Sequence, residues 1–397
     1  MQNILQTKKV RPRIIRTLIL SILFLLFFIF LINFNRIEKS AMVNTDGRTF
    51  EKATVSEVLQ DNLQEDGSRV GNQIVLLKMR TGPLKGQLVE ATSPDGYLFG
   101  AECRPGLRVI AICSVSGDQS VVTVYNTDRS LVIYLFVALF LLGIGIAGGK
   151  NGFQYAIGLI FTFICILFLY LPMIYKGTSP FWAAVLVASL TTVVTMYCVG
   201  GISIKSISAS AGTVVGVLVS SLAASLFGHF ARIDGYNVSD IETLLFVQQA
   251  TDIKIGELLF SGILIASLGA VMDVSMSIAS TMQEVHEKNG QLTRLELFRS
   301  GINVGRDMMG TTVNTFILAF TGSSLNILIL NYAYNLPYRQ LINSYSIGIE
   351  IIQGISGGMG IVFCVPLVSL IASYLLTLPV SRKTHGKSGN TDNIRVE

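Results

Sequence analysis

Eight stretches of the chain are long, apolar and nearly free of charge: 17–34, 131–147, 153–175, 181–199, 207–230, 258–282, 308–332 and 345–376. A bilayer core about 30 Å thick is crossed by roughly 20 apolar residues in a helix, so each stretch is read as a membrane-spanning helix. Charge content agrees. Only 14% of the residues are charged, where a soluble domain carries about 25%. The predicted fold class is an α-helical polytopic membrane protein, with a small extracytoplasmic β-barrel-like (OB-like) domain between the first and second spans.

The distribution of cations orients the spans. Lys8, Lys9, Arg11, Arg13 and Arg16 precede the first apolar run. That run is longer than the roughly 7–15 residues of a signal-peptide core. Ser40-Ala41-Met42 is a poor cleavage site, so an uncleaved anchor with a cytoplasmic N-terminus is expected. Threading eight spans from there puts Lys150, Lys205, Lys288, Arg294, Arg299 and Arg306 on the inner side, followed by Arg382, Lys383, Lys387 and Arg395 in the tail. The outer loops after the third span hold only Lys176, Arg232, Lys254 and Arg339. This matches the enrichment of Lys and Arg in cytoplasmic loops, so a multi-pass protein of the cytoplasmic membrane with both termini in the cytoplasm is expected.

Four segments follow: a basic N-terminus and anchor (1–34), an extracytoplasmic β-rich domain (35–129), a seven-helix membrane domain (130–378) and a cytoplasmic tail (379–397). In the β-rich domain, 54–59, 73–79, 86–90, 108–114 and 120–125 are short, partly alternating apolar segments. Asp66-Gly67, Thr81-Gly82, Pro94-Asp95-Gly96, Pro105-Gly106 and Gly117-Asp118 separate them as turns. Five short strands in so little chain suggest a small closed barrel. Such a barrel serves as a ligand site, a structural cap or a partner-docking module. Cys103 and Cys113 fall in this domain, and their spacing leaves pairing open. Cys165, Cys198 and Cys364 lie in apolar runs and are expected to be small packing residues.

Polar residues in the later spans are costly in lipid. A carboxylate at mid-membrane costs about 2.5–3.5 kcal/mol on insertion scales, so it faces protein or water. Asp273, Ser277, Ser280, Thr281 and Glu284 fall on one face of the sixth span, continued upward by Ala266, Gly269 and Ala270. Asp307, Gly310, Thr311, Asn314 and Thr321 share a face of the seventh. Asp307 has a second reading as a helix N-terminal cap. Arg306 either pairs with Glu284 or Asp273 or lies at the headgroups. The eighth span carries Glu350, Gln353 and the run Ser356-Gly357-Gly358-Met359-Gly360, which marks either a broken helix or close packing. Gly145 and Gly149 on the second span, and Ser208, Gly212 and Gly216 on the fifth, are expected at packing interfaces. Ser239-Asp240-Ile241-Glu242 reads as a capping box for a short surface helix. In the 283–301 connection, Glu296, Leu297 and Phe298 suggest an amphipathic interfacial helix.

The segment Gly269-Ala-Val-Met-Asp273-Val-Ser-Met-Ser277-Ile-Ala-Ser280, then Glu284, then Gly305-Arg-Asp307-Met-Met-Gly310-Thr311-Thr-Val-Asn314-Thr315 resembles the signature region of the YibE/F-like family of bacterial multi-pass membrane proteins. The resemblance implies a polytopic cytoplasmic-membrane protein and supplies no activity. Two functions fit. One is a secondary transporter or permease component using a polar site of Asp273, Ser277, Ser280, Glu284, Asp307, Thr311, Asn314, Glu350 and Gln353. The other is a non-transporting factor for secretion or envelope assembly acting through its extracytoplasmic domain. An enzyme is not expected. His229, His286 and His385 form no HExxH site, and there is no phosphate loop, GxSxG or nucleotide fingerprint. No cofactor is expected. The partners expected are the lipid bilayer and a second membrane subunit, identical or not. A nucleic acid is not among them, since no basic and aromatic groove pattern is present.

Overall fold

The computed structural model describes residues 22–37, 47–94, 100–116, 119–238 and 240–378. The cations before the first span, those of the tail, the turn residues Asp95-Gly96 and Gly117-Asp118, and Ser239, Ser40 and His385 lie outside the described residues. The chain divides into two compact units: one of 41–149, the other of 1–40 with 150–397.

The first unit is a closed five-stranded barrel followed by one helix. Its strands are β1 (Arg48–Gln60), β2 (Gln73–Met79), β3 (Leu88–Ser93), β4 (Arg108–Ser116) and β5 (Gln119–Thr127), ordered β1-β2-β3-β5-β4 with β4 returning to β1. Every pairing is antiparallel except β3 with β5. This is the order expected of an OB-like barrel. β1 is longer than the alternation suggested because it serves two neighbours, pairing with β4 along its first half and with β2 along its second. Register shifts after Val55 and Val58 bend it between the two. Alternation puts Val55, Val75, Leu77, Val109, Ala111 and Val124 inside. Cys103 and Cys113 are both buried and both free. Burial pushes their thiols up. At one end Arg69 donates to Asp61 (2.7 Å) and Glu102 (3.0 Å), tying the β1–β2 loop to the segment before β4. The hydrogen bonds from Gln73 and Arg69 hold the Asp61 carboxyl below the usual carboxylate range. The helix α2 (Ser130–Ala147) follows, apolar along its length and with no buried residue. Within this unit a Cβ at Gly145 would meet nothing within 4 Å, and Gly149 lies past the helix end at φ +54°.

The second unit is a helical bundle. It contains α1 (Ile22–Phe34), α3 (Gly152–Tyr175), α4 (Pro180–Gly200), α5 (Ile204–Ala231), the short α6 (Ile241–Gln249), α7 (Leu258–Lys288), α8 (Arg294–Ser323), α9 (Leu325–Ala333), α10 (Tyr338–Ile342) and α11 (Tyr345–Leu376). Among the described residues, six helices are long and apolar enough to cross a membrane by themselves: α2, α3, α4, α5, α7 (with the 3₁₀ turn before it) and α11. The expected seventh span is instead a pair, α8 and α9, bent by 63° at Ser324. The expected interfacial helix around Glu296 is the first turn of α8 itself, because no glycine or proline breaks the chain between Arg294 and Gly301. Thr293 caps it in a reciprocal box with Glu296. At α6 the cap position is Asp240, whose side chain makes no capping bond. α3 carries a one-turn π bulge at Ile166–Tyr170.

α11 runs through the bundle against α5, α7 and α8. It is continuous, so the glycine run does not break it. The glycines are contacts: a Cβ at Gly357 would sit 2.1 Å from the Phe316 ring, and one at Gly360 would sit 2.9 Å from the carbonyl oxygen of Gly216. Reciprocally, a Cβ at Gly216 would lie 2.8 Å from Cys364 and Val271. Small residues on both helices let the backbones approach, the usual basis of packing in lipid. Gly212 meets Val368 in the same seam, so the expected packing role of the α5 glycines holds. Cys165 and Cys364 are buried in this core. The Gly216→Ala substitution is expected to destabilise the bundle by about 1–3 kcal/mol through overpacking, read as a lowered melting temperature of the purified protein in detergent.

Candidate functional site

Asp273 stands at the midpoint of α7 (Leu258–Lys288), and its side chain is exposed. Among the described residues its carboxylate has no hydrogen bond or ion pair. The helical repeat sets Gly262, Ala266 and Gly269 above it on the same face, all exposed. A Cβ at Gly262 or Gly269 would meet nothing within 4 Å. This stripe of small residues therefore packs no helix. Ala266 and Gly269 instead line an open groove of about 440 Å³ between α3, α4 and α7, whose lining on α7 reaches Met272 and does not include Asp273. Its walls carry Thr162, Thr191 and Thr195 among apolar side chains. Thr162 and Thr191 donate to carbonyls of their own helices at 3.0 and 2.8 Å, whereas the Thr195 hydroxyl is buried without a partner. Below Asp273, Ser277 and Ser280 are half-buried, and Glu284 is exposed and pairs with Lys288 at 3.0 Å.

α8 turns its polar face away from the bundle. Its buried side is Leu297, Gly301, Gly305 and Phe316, packed on α7 and α11. Asp307, Gly310, Thr311, Asn314 and Thr321 are all exposed. Thr311 and Thr321 donate to carbonyls of their own helix, while the Asp307 and Asn314 side chains make no hydrogen bond among the described residues. Asp307 lies well inside α8, so its capping reading fails; Thr293 holds that position. Arg306 is exposed and forms no ion pair among the described residues; Glu284 pairs instead with Lys288 one turn away on its own helix.

The two halves of the expected site stand at different depths. Gly305 touches Ile278 and Val365, and Gly360 touches Val271, which fixes how α7 and α11 align. From that alignment Glu350 lies at least ten residues from the level of Asp273, about 15 Å or more along the bundle. Glu350 is half-buried with Oε2 lacking a partner, and Gln353 is half-buried below it. Groups that the polar-stripe reading missed lie in the α5–α11–α7 seam. Among the described residues the hydroxyls of Ser208, Ser220 and Ser221 are buried without partners, and Ser275 interacts with the Cys364 thiol. Their signal was present as Ser208, Gly212, Gly216 and Ser220 at four-residue spacing. No group of three or more His, Cys, Asp or Glu suited to a metal occurs among the described residues.

Long apolar helices, with acid and amide groups on two consecutive ones, define a polytopic membrane protein with a candidate intramembrane site. The model of the YibE/F-like protein family matches residues 136–378, more than half of the chain, and the chain belongs to that family. No curated protein and no solved structure matches it.

Because Asn314 is exposed and its side chain makes no hydrogen bond among the described residues, Asn314→Leu is expected to change the stability of the monomer in detergent by no more than about 0.5 kcal/mol. Gly357→Val, driven into the Phe316 ring, is expected to cost about 1–3 kcal/mol. Thermal melts of the two variants side by side check the contrast.

Proposed function

We propose that this chain is a secondary-transport subunit of the cytoplasmic membrane, with Asp273 as the group that carries a proton or cation. The observation behind this reading is the position of Asp273. It stands at mid-helix with no partner, where a small-residue stripe opens into a groove instead of packing. A carboxylate left unpaired at that depth is a functional group by default. The mainly apolar groove with three threonine hydroxyls suits an amphipathic solute. In this reading the chain crosses the bilayer eight times, with α1 as an uncleaved anchor, α8 and α9 as one bent span, both termini cytoplasmic and the barrel outside. The cation bias between loops supports it. The chain is not an enzyme in this reading and uses no cofactor.

The exposed polar face of α8 favours a second element of the same proposal. A face carrying Asp307 and Asn314 is costly against lipid, so another membrane subunit covers it. If that contact is the whole purpose of the polar residues, the chain is a non-transporting assembly factor.

Orientation is checked by single cysteines at Glu57 and Gln291 in a cysteine-free background, treated with an impermeant maleimide on intact cells with a permeable outer barrier. Glu57→Cys is expected to label and Gln291→Cys to stay protected; the reverse pattern overturns the topology. Transport is checked in proteoliposomes by proton uptake under an imposed potential. Asp273→Asn is expected to abolish uptake while leaving oligomer size on native gels unchanged. Unchanged uptake would remove the role of Asp273. Loss of the oligomer, without any uptake by the wild type, would favour the assembly factor.

A further inference from the structure

Where the barrel passes into α2, a pocket of about 250 Å³ is built from residues far apart in the chain. Lys52 comes from β1, Arg80 from the end of β2 and Arg108 from the start of β4. Backbone hydrogen bonds hold these segments together: Arg80 N–H donates to the Lys52 carbonyl at 2.7 Å, and Asp128 N–H to the Arg108 carbonyl at 2.9 Å. Three cations therefore face one carboxylate. That carboxylate is already engaged: Asp128 accepts from the Ser130 hydroxyl and backbone N–H, and Lys52 Nζ stands 3.7 Å away. The Ser130 hydrogen bond holds the Asp128 carboxyl below the usual range. The nearby Glu51 accepts from Thr81 at 2.6 Å. The guanidinium groups of Arg80 and Arg108 have no hydrogen bond or ion pair among the described residues. The remaining wall is Leu131 and Tyr134, in the first turns of α2.

Uncommitted cations on one side and the start of a long apolar helix on the other match a chemistry that is anionic at one end and hydrocarbon at the other. A soluble anion needs no such apolar wall. A tyrosine at the entry of a span sits at headgroup level. We propose that this pocket binds the phosphate of an anionic membrane phospholipid, with Arg80 and Arg108 as the phosphate ligands and the acyl chains lying along α2. The site rests on α2 entering the bilayer. It does not depend on transport or on which side the barrel occupies.

The test uses the full-length protein, extracted from vesicles of equal phosphatidylglycerol and phosphatidylcholine, with co-purifying lipid measured by mass spectrometry. Wild type is expected to retain phosphatidylglycerol in marked excess. The Arg80→Gln/Arg108→Gln variant is expected to lose about tenfold of that preference. Proton uptake, measured alongside, is not expected to change with the double variant, so this result and the Asp273 result fail separately. Equal retention of the two lipids by wild type, or an unchanged preference in the variant, overturns the proposal. Inorganic phosphate that displaces phosphatidylglycerol at millimolar concentration assigns the pocket to a soluble anion and overturns the lipid. Should the double variant not fold, Arg80→Gln alone, at an exposed side chain, is expected to lose about threefold of the preference.

Discussion

The backbones of α5 and α11 meet directly at Gly216 and Gly360, each glycine leaving room for the carbonyl of the other. In lipid no hydrophobic effect drives helices together, so contact area has to come from shape. Removing side chains at this seam brings Val271, Cys364 and Val368 into one tight layer, and α7 and α8 are placed by packing on it. Gly301 and Gly305 repeat the device one helix further out, against Met282, Ser369 and Val365. The position of Asp273 is thus set from behind. The buried side of α7 is locked to α11 and α5, and what remains for the carboxylate is the open side.

That arrangement separates two kinds of glycine that look alike in a hydropathy plot. Gly216, Gly357 and Gly360 are filled by a neighbour, while Gly262, Gly269 and Gly310 have nothing against them. The first group serves stability. The second leaves surface uncovered beside a carboxylate or an amide, which is where a monomer in a bilayer is least content. The groove beside α7 and the bare face of α8 both include glycines against which no described helix of this unit packs.

Much of the architecture was legible because its signals are local. Apolar length marked the helices, and alternation with turn residues marked all five strands and their closure into a barrel, though not the order in which they pair. The failures are positional. The 63° bend between α8 and α9 falls at Gly322-Ser323-Ser324, a glycine–serine kink signal that apolar length alone passes over. The reach of β1 exceeded its alternation because two partners, not its own sequence, extend it. At the site, periodicity grouped the polar residues correctly by face. It was silent on which face meets a neighbour, since that depends on the packing of α11. Hence Asp273 and Glu350, joined on paper, lie apart in depth. Arg306 was offered two carboxylates and meets neither among the described residues, while Glu284 pairs with Lys288 on its own helix.

The π bulge at Ile166–Tyr170 bears on the same groove. It inserts one surplus residue into α3, between the threonine that lines the groove and Tyr170, whose hydroxyl meets Ser261 at 2.6 Å inside the bundle. Deleting a single residue there would let the helix close into regular turns. Everything on the far side of it would then rotate by about 100° relative to Tyr170. The wall holding Tyr155, Gly158 and Thr162 would swing out of the groove while the tyrosine anchor stayed in place. One extra peptide unit therefore works as a phase shifter, letting a single helix satisfy the bundle at one end and furnish a groove at the other.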